Sequence, residues 1–106
     1  MGTVENEVVK DCLEWLQYNG FMAWRVNNMG VFRETGYSFN GTKGVPDLTA
    51  VKKGVVFFVE CKAPGKLKAQ SESQKEFQAD LEKHGGIYIL TDSVETLIQK
   101  IGEANG

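Results

Sequence analysis

The chain has 106 residues, enough for a single core, and we expect residues 1–106 to form one domain. Its 42% hydrophobic and 25% charged residues exclude a disordered chain, and its longest apolar run, Val55 to Val59, is too short for a membrane span. The formal net charge is −2, but residues 25–68 hold eight basic and three acidic residues, which fits either polyanion binding or a solvated lysine surface.

The first third of the chain predicts a helix followed by a strand. Apolar residues from Val4 to Tyr18 recur at helical spacing, and Asn19-Gly20 provides a stop signal. The segment from Phe21 to Asn27 is rich in apolar and aromatic residues, which favours a strand. Residues 28–46 contain four glycines, and we expect either a small hairpin or an ordered loop there.

The centre of the chain carries the clearest hairpin pattern. Asp47 to Lys52 and Val55 to Lys62 are two strand-like runs that are separated by Lys53-Gly54, where glycine accommodates a positive φ. A two-residue turn pairs the last residue of the first run with the first residue of the second. With that register, Asp47 faces Glu60 across the hairpin.

The last third predicts a helix, a strand and a second helix. A Ser-x-x-Gln box at Ser71 indicates a helix over residues 72–84, Ile87 to Leu90 is a short apolar strand, and a last helix follows Ser93. The element order is therefore α, β, β, β, α, β, α. A hairpin followed by a strand–helix–strand crossover predicts an α/β fold with a mixed central sheet flanked by helices.

A few residues are interpreted as structural. Cys12 and Cys61, with the one histidine His84, are too few for the usual structural zinc sets, and we expect reduced core thiols. We interpret His84 as a helix cap and the rings of Trp15 and Trp24 as core residues. The N-terminal segment lacks the pattern of a secretory signal, and we expect a cytosolic protein.

Two carboxylates and a lysine are expected on one face of the predicted hairpin. Opposed strand residues lie about 5 Å apart, so Asp47 and Glu60 would meet, with Lys62 on the same face and the Cys61 thiol on the other. Oxygen ligands of this kind suit Mg²⁺ or Mn²⁺, and the Cys61 carbonyl offers a further oxygen. The set fits phosphodiester hydrolysis, although a plain surface salt-bridge cluster fits the same spacing.

Two polar residues on the predicted helices point toward the same sheet. Glu5 lies on the apolar stripe of the first helix and Glu7 on its polar face, although a carboxylate in the first turn also complements the helix dipole. Gln74 precedes Phe77 by three positions, so it faces the sheet, and it also completes the capping box. Gln70 is a competing glutamine, but it precedes the helix.

Gly44-Val45-Pro46-Asp47-Leu48, Glu60-Cys61-Lys62 and Gln74 together resemble the PD-(D/E)xK nuclease superfamily. With Glu5 in the first helix and Trp24-Arg25-Val26-Asn27 before the loop, the chain more narrowly resembles a stand-alone VRR-NUC (virus-type replication-repair nuclease) domain. The resemblance extends from Glu5 to Thr91 and implies a restriction-endonuclease-like core.

The resemblance also implies roles for single residues. The implied catalytic side chains are Glu5, Asp47, Glu60, Lys62 and Gln74. Asp47, Glu60 and the Cys61 main-chain carbonyl would hold Mg²⁺, with Mn²⁺ as a substitute, and Glu5 would bind the metal through water. Lys62 would be the catalytic lysine, which Gln74 would position.

The implied activity is that of a metal-dependent DNA endonuclease. Stand-alone members of this family are associated with homodimers that cut four-way junctions, so the resemblance implies a homodimeric Holliday-junction resolvase acting on branched DNA. The alternatives are a flap- or end-directed nuclease of the same chemistry and a non-catalytic DNA-binding subunit. Four basic residues are expected to hold phosphates, although each also fits ordinary solvation: Arg25, Lys43, Lys66 and Lys68.

Overall fold

The computed structural model describes residues 4–26, 31–33, 36–38 and 43–105. In chain order the helices and strands are α1 Val4–Tyr18, β1 Met22–Arg25, β2 Val31–Arg33, β3 Gly36–Ser38, β4 Leu48–Lys52, β5 Val55–Cys61, α2 Glu72–Lys83, β6 Ile87–Thr91 and α3 Val94–Asn105. A short 3-10 helix, Leu67–Ala69, precedes α2. Within these ranges, no helix combines the length and apolar character that crossing a membrane requires.

The described part of the chain contains a mixed four-stranded sheet in the order β1-β4-β5-β6. Strand β4 is antiparallel to both β1 and β5, whereas β5 and β6 are parallel and are connected through α2. Strands β2 and β3 form a separate antiparallel pair, so the segment 28–46 contains a hairpin. The predicted α/β fold and the order of its main elements are confirmed.

The β4–β5 turn sets the register of the hairpin that leads to the site. Lys53 has φ 52° and Gly54 has φ 80°, the two positive values of the tight turn whose twist matches antiparallel strands. Lys52 pairs with Val55, as predicted, and the ladder continues to the pair of Leu48 with Val59.

Alternation along the strands gives the sheet two different faces. Leu48 and Phe57 lie on the core face, where they are buried with α1 and α3. The opposite face, called here the α2 face, carries Thr49 and Phe58. Helix α2 covers the β5–β6 side of this face, and Phe77 packs its ring 6.2 Å from that of Phe58.

The residues interpreted as structural mostly occupy the expected places. Cys12 and Cys61 are free and fully buried, and the Cys12 thiol together with burial raises the pKa of Cys61. His84 is the C-cap of α2, and Trp15 packs against the core. The prediction for Trp24 is wrong, because its side chain is 43% exposed. It lies on the α2 face of β1, a strand at the edge of the sheet, away from the strands that α2 contacts.

Candidate active site

Asp47, Glu60 and Lys62 come together at one end of the sheet. Asp47 directly precedes β4, and Lys62 directly follows β5, in which Glu60 is the penultimate residue. Since Leu48 pairs with Val59, the next position of the ladder places Asp47 against Glu60, and alternation puts all three side chains on the α2 face.

Hydrogen bonds connect this cluster to α2. The Cys61 N–H donates to Asp47 Oδ2 at 2.9 Å. Lys62 Nζ lies 3.6 Å from Glu60 Oε2 and donates to Gln74 Oε1 at 2.8 Å. Gln74 Nε2 in turn donates to Glu60 Oε2 at 2.9 Å. The amide of Gln74 therefore bridges the lysine and the carboxylate.

Gln74 also closes the capping box of α2. The Ser71 N–H donates to Gln74 Oε1 at 2.8 Å, and the Gln74 N–H donates to Ser71 Oγ at 3.2 Å. Gln70 instead donates to the Tyr88 hydroxyl and to Gln78 Oε1. Of the two glutamines, Gln74 is therefore the one that reaches the carboxylate and lysine, and its capping and bridging roles coexist.

The loop before Asp47 lies directly against the first turn of α2. Gly44 has φ 77°, and a Cβ at this position would lie 2.2 Å from the carbonyl oxygen of Ser73 and 2.8 Å from the backbone nitrogen of Gln74. Any larger residue would force the two segments apart. This close approach holds the loop that carries Asp47 next to the helix that carries Gln74.

Burial raises the pKa of both carboxyl groups in the cluster. Glu60 is 2% exposed, and burial followed by the charge of Asp47 raises its pKa to about 8, although Lys62 acts in the opposite direction. Burial also raises the pKa of Asp47, against the hydrogen bond from the Cys61 N–H. Among the described residues, no hydrogen-bond donor reaches the buried Oε1 of Glu60.

The donor set fits a divalent cation of the Mg²⁺ type. Asp47 and Glu60 are neighbouring acids whose charges repel, and the unsatisfied Glu60 oxygen lacks a positive partner. Mg²⁺ is usually held by one or two carboxylates, with waters and substrate phosphates completing its shell. No group of three or more His, Cys, Asp or Glu side chains that could hold a metal ion occurs in the described ranges. Asp47 and Glu60 are the two carboxylates that the cluster offers to a cation.

Glu5 lies in the first turn of α1, close enough to the cluster for its charge to act on it. It is partly buried, whereas Glu7 is exposed. The negative charge of Glu5 contributes to the raised pKa of both Asp47 and Glu60. The partial burial of Glu5 agrees with the helical phase that separates it from Glu7, and its role at the site stays a prediction.

The four predicted phosphate-binding residues occupy different surroundings. Arg25 Nη2 donates to Asn6 Oδ1 at 3.1 Å, and its positive charge partly opposes the burial that raises the pKa of Asp47. Lys43 lies in the loop before β4, and Lys66 and Lys68 lie between β5 and α2. The three lysines are exposed, and none forms an ion pair within the part of the chain that the structure describes. Asn27, part of the motif that contains Arg25, lies outside the described residues.

The sequence patterns missed two residues around the cluster. Tyr88 is buried on the α2 face opposite Phe58, and burial raises its pKa to about 12. Alternation in β6 would have placed it there. Asp92 Oδ2 accepts a hydrogen bond from the Gly65 N–H at 2.8 Å, which fastens the segment after Lys62 to the end of β6. No local pattern indicates that contact.

The comparisons with known proteins concern the whole architecture. The sequence matches no protein-family model and no curated protein. A solved structure described as a VRR_NUC domain is similar to the chain, with 22% sequence identity and a TM-score of 0.73 over 95% of this chain and 97% of that one. The similarity agrees with the restriction-endonuclease-like core that the motifs predicted. The chain therefore has the fold of a VRR_NUC domain.

Proposed function

We propose that the protein is a metal-dependent DNA endonuclease of the PD-(D/E)xK type. The observation that carries this proposal is the cluster of Asp47, Glu60 and Lys62, whose lysine and buried glutamate are bridged by Gln74. A buried carboxylate with an unsatisfied oxygen beside a second carboxylate lowers the stability of the fold, and such costly arrangements are concentrated at functional sites. The VRR_NUC fold supports the same activity.

The residues of the cluster have separate roles in the proposed reaction. Asp47, Glu60 and the Cys61 carbonyl would hold Mg²⁺ or Mn²⁺. When bound, the cation supplies positive charge that stabilises the charge developing on the phosphate. Lys62, held by Gln74 at 2.8 Å, offers an ammonium group to the phosphate oxygens or to the attacking water. In that step the water oxygen bonds to phosphorus as the bond from phosphorus to the leaving sugar oxygen breaks. The water gives up one proton to solvent and the sugar oxygen takes up one from solvent, so the step balances.

The proposed substrate is branched DNA, and specifically the four-way junction. Arg25 near Asp47 and the exposed Lys43, Lys66 and Lys68 offer positive charge to phosphates around the cluster. One cluster per chain cuts one strand, so paired cuts in a junction need two chains, and we propose a homodimer. The cluster of acids and lysine favours catalysis over a non-catalytic DNA-binding role.

The test is cleavage of labelled four-way junction, flap, linear duplex and single-stranded DNA, each with Mg²⁺, with Mn²⁺ and with chelator. We expect paired, symmetric nicks in the junction that require the metal. Asp47→Asn should lower the cleavage rate at least 100-fold and retain DNA binding, because a metal ligand is lost while the basic surface remains. Asp11→Asn, which changes an exposed acid of α1, is the matched control and should cleave normally.

Each other outcome has a defined meaning. Cutting confined to flaps or ends would support the proposed active site and contradict the four-way junction as the substrate. Unchanged cleavage by Asp47→Asn would remove Asp47 from the mechanism. Junction binding without cleavage in either metal would contradict the proposed nuclease and favour the DNA-binding subunit.

A further inference from the structure

The α2 face carries an exposed apolar strip that the proposed chemistry does not use. Among the described residues, Met22, Trp24 and Val56 are 70%, 43% and 40% exposed. Met22 pairs with Val51, which pairs with Val56, so these side chains share the α2 face with Trp24, two residues further along β1. Exposed apolar side chains grouped on one face indicate an interaction surface.

Trp24 lies beside the candidate active site. It pairs with Thr49, which is two residues from Asp47 along β4 and lies on the same face. Two residues of a strand correspond to about 7 Å, and neighbouring strands are about 5 Å apart. The indole of Trp24 is therefore within reach of a base attached to a phosphate held at Asp47 and Glu60.

The size and surroundings of the strip favour a nucleotide over a protein partner. Stable protein interfaces bury roughly 800 Å² on each partner, well above what three partly exposed side chains provide. The strip leads along the α2 face to the cluster that contains Lys62, and Arg25 lies at the same end of the sheet on the opposite face, where its charge acts on Asp47. Indole rings stack on the faces of bases regardless of sequence. In an intact duplex those faces are covered by neighbouring bases.

We propose that Trp24 stacks on an unpaired base next to the scissile phosphate. The substrate class is then DNA with unstacked bases beside the cut, as in flaps, single strands and open branch points. This inference rests on the proposed function for the place of the scissile phosphate. It assigns Trp24 to substrate binding and gives the cluster a preference for distorted DNA.

Tryptophan fluorescence tests the stacking directly. The chain has two tryptophans, so Trp15→Phe leaves Trp24 as the one indole, and Trp24→Phe leaves the core residue Trp15. Each variant is titrated with oligothymidine, a flap and a blunt duplex in chelator, which prevents metal-dependent cleavage. We expect oligothymidine and the flap to quench the emission of Trp15→Phe, the blunt duplex to quench it little, and Trp24→Phe to show no quenching.

Affinity measurements give a second readout. Trp24→Ala should bind oligothymidine about tenfold more weakly than the wild-type protein does. Its affinity for the blunt duplex should stay within twofold of the wild-type affinity. Trp24→Phe, which keeps an aromatic face, should recover most of the lost affinity. Tyr18→Ala is the matched control, because Tyr18 is 90% exposed and lies at the end of α1 on the other side of the sheet.

Two results would overturn the inference. One is equal quenching of Trp24 by blunt duplex and oligothymidine. The other is a change of sedimentation from dimer to monomer in Trp24→Ala with unchanged DNA affinity, which would assign the strip to a second copy of the chain. Quenching by oligothymidine without any metal-dependent cleavage would support stacking and contradict the proposed nuclease, so the two proposals fail separately.

Discussion

Gln74 shows how one side chain connects a helix start to a candidate catalytic cluster. Its Oε1 accepts hydrogen bonds from the Ser71 N–H and from Lys62 Nζ, and its Nε2 donates to Glu60 Oε2. A carboxamide has both a donor and an acceptor end, which these three contacts require. A glutamate at this position would add a negative charge beside an already buried carboxylate.

Variants of Gln74 and Ser71 separate the capping role of Gln74 from its role in the cluster. Gln74→Ala should lower the cleavage rate at least tenfold and the free energy of unfolding by about 1–2 kcal/mol, because the hydrogen bond from the Ser71 N–H and both cluster contacts are lost while the Gln74 N–H still donates to Ser71 Oγ. Ser71→Ala removes the capping hydroxyl alone and should cost about 1 kcal/mol while cleavage stays within threefold. Urea unfolding and cleavage rates on one substrate measure both effects. Equal losses of cleavage in the two variants would mean that Gln74 acts through the cap.

At the scale of the elements, the loop before β4 approaches the first turn of α2 backbone to backbone. Gly44 brings its backbone against Ser73 and Gln74, which are about 30 positions later in the chain. The contact is between backbones, so no side-chain rotation relieves a clash there. The geometry of the cluster therefore depends on the position of a helix, as well as on the hairpin.

Gly44→Ala should destabilise the protein and reduce cleavage together. The new Cβ would meet the Ser73 carbonyl at 2.2 Å in a residue with φ 77°, so we expect a loss of about 2 kcal/mol or more in the free energy of unfolding. Gly102→Ala in α3 is the control, because a Cβ there meets nothing within 4 Å of the described atoms and should stabilise by about 0.5–1 kcal/mol. Thermal unfolding compares the stability of the two variants with that of the wild-type protein. A Gly44→Ala variant as stable as the wild type would contradict the close contact.

For the molecule as a whole, the buried carboxyl pair makes stability depend on pH. The pKa of Glu60 is about 8 in the folded protein against an ordinary value of 4.5, so the folded state binds this proton more tightly than the unfolded state. The resulting stabilisation is fully present below about pH 4.5 and is lost as the pH rises through 8. Asp47 shifts in the same direction.

In chelator, the free energy of unfolding should therefore fall by roughly 3 kcal/mol between pH 5 and 8. Millimolar Mg²⁺ should reduce this fall, because it binds the deprotonated carboxylates of the folded protein. Glu60→Gln should flatten the pH dependence, whereas Glu14→Gln, a change of an exposed acid on α1, should leave it in place. Urea unfolding at several pH values measures this, and equal slopes in all three proteins would contradict the role of Glu60.

The amino-acid pattern was sufficient where neighbouring residues decide the outcome. Period-two alternation and the Lys53-Gly54 turn predicted the register of β4 and β5, and with it the meeting of Asp47, Glu60 and Lys62. Helical phase likewise predicted that Gln74 points to the sheet. These features follow from turn geometry and from which side chains share a face, both of which are local properties.

Burial and long-range contact required the folded chain. Alternation along the strands places Trp24 on the same face as Thr49. It does not predict that α2 covers the β5–β6 side of that face, which leaves Trp24 exposed. The same holds for the 2% exposure and raised pKa of Glu60, and for the approach of Gly44 to α2. A periodic pattern specifies which residues share a face, whereas the solvent and charge that each one meets depend on elements packed from distant parts of the chain.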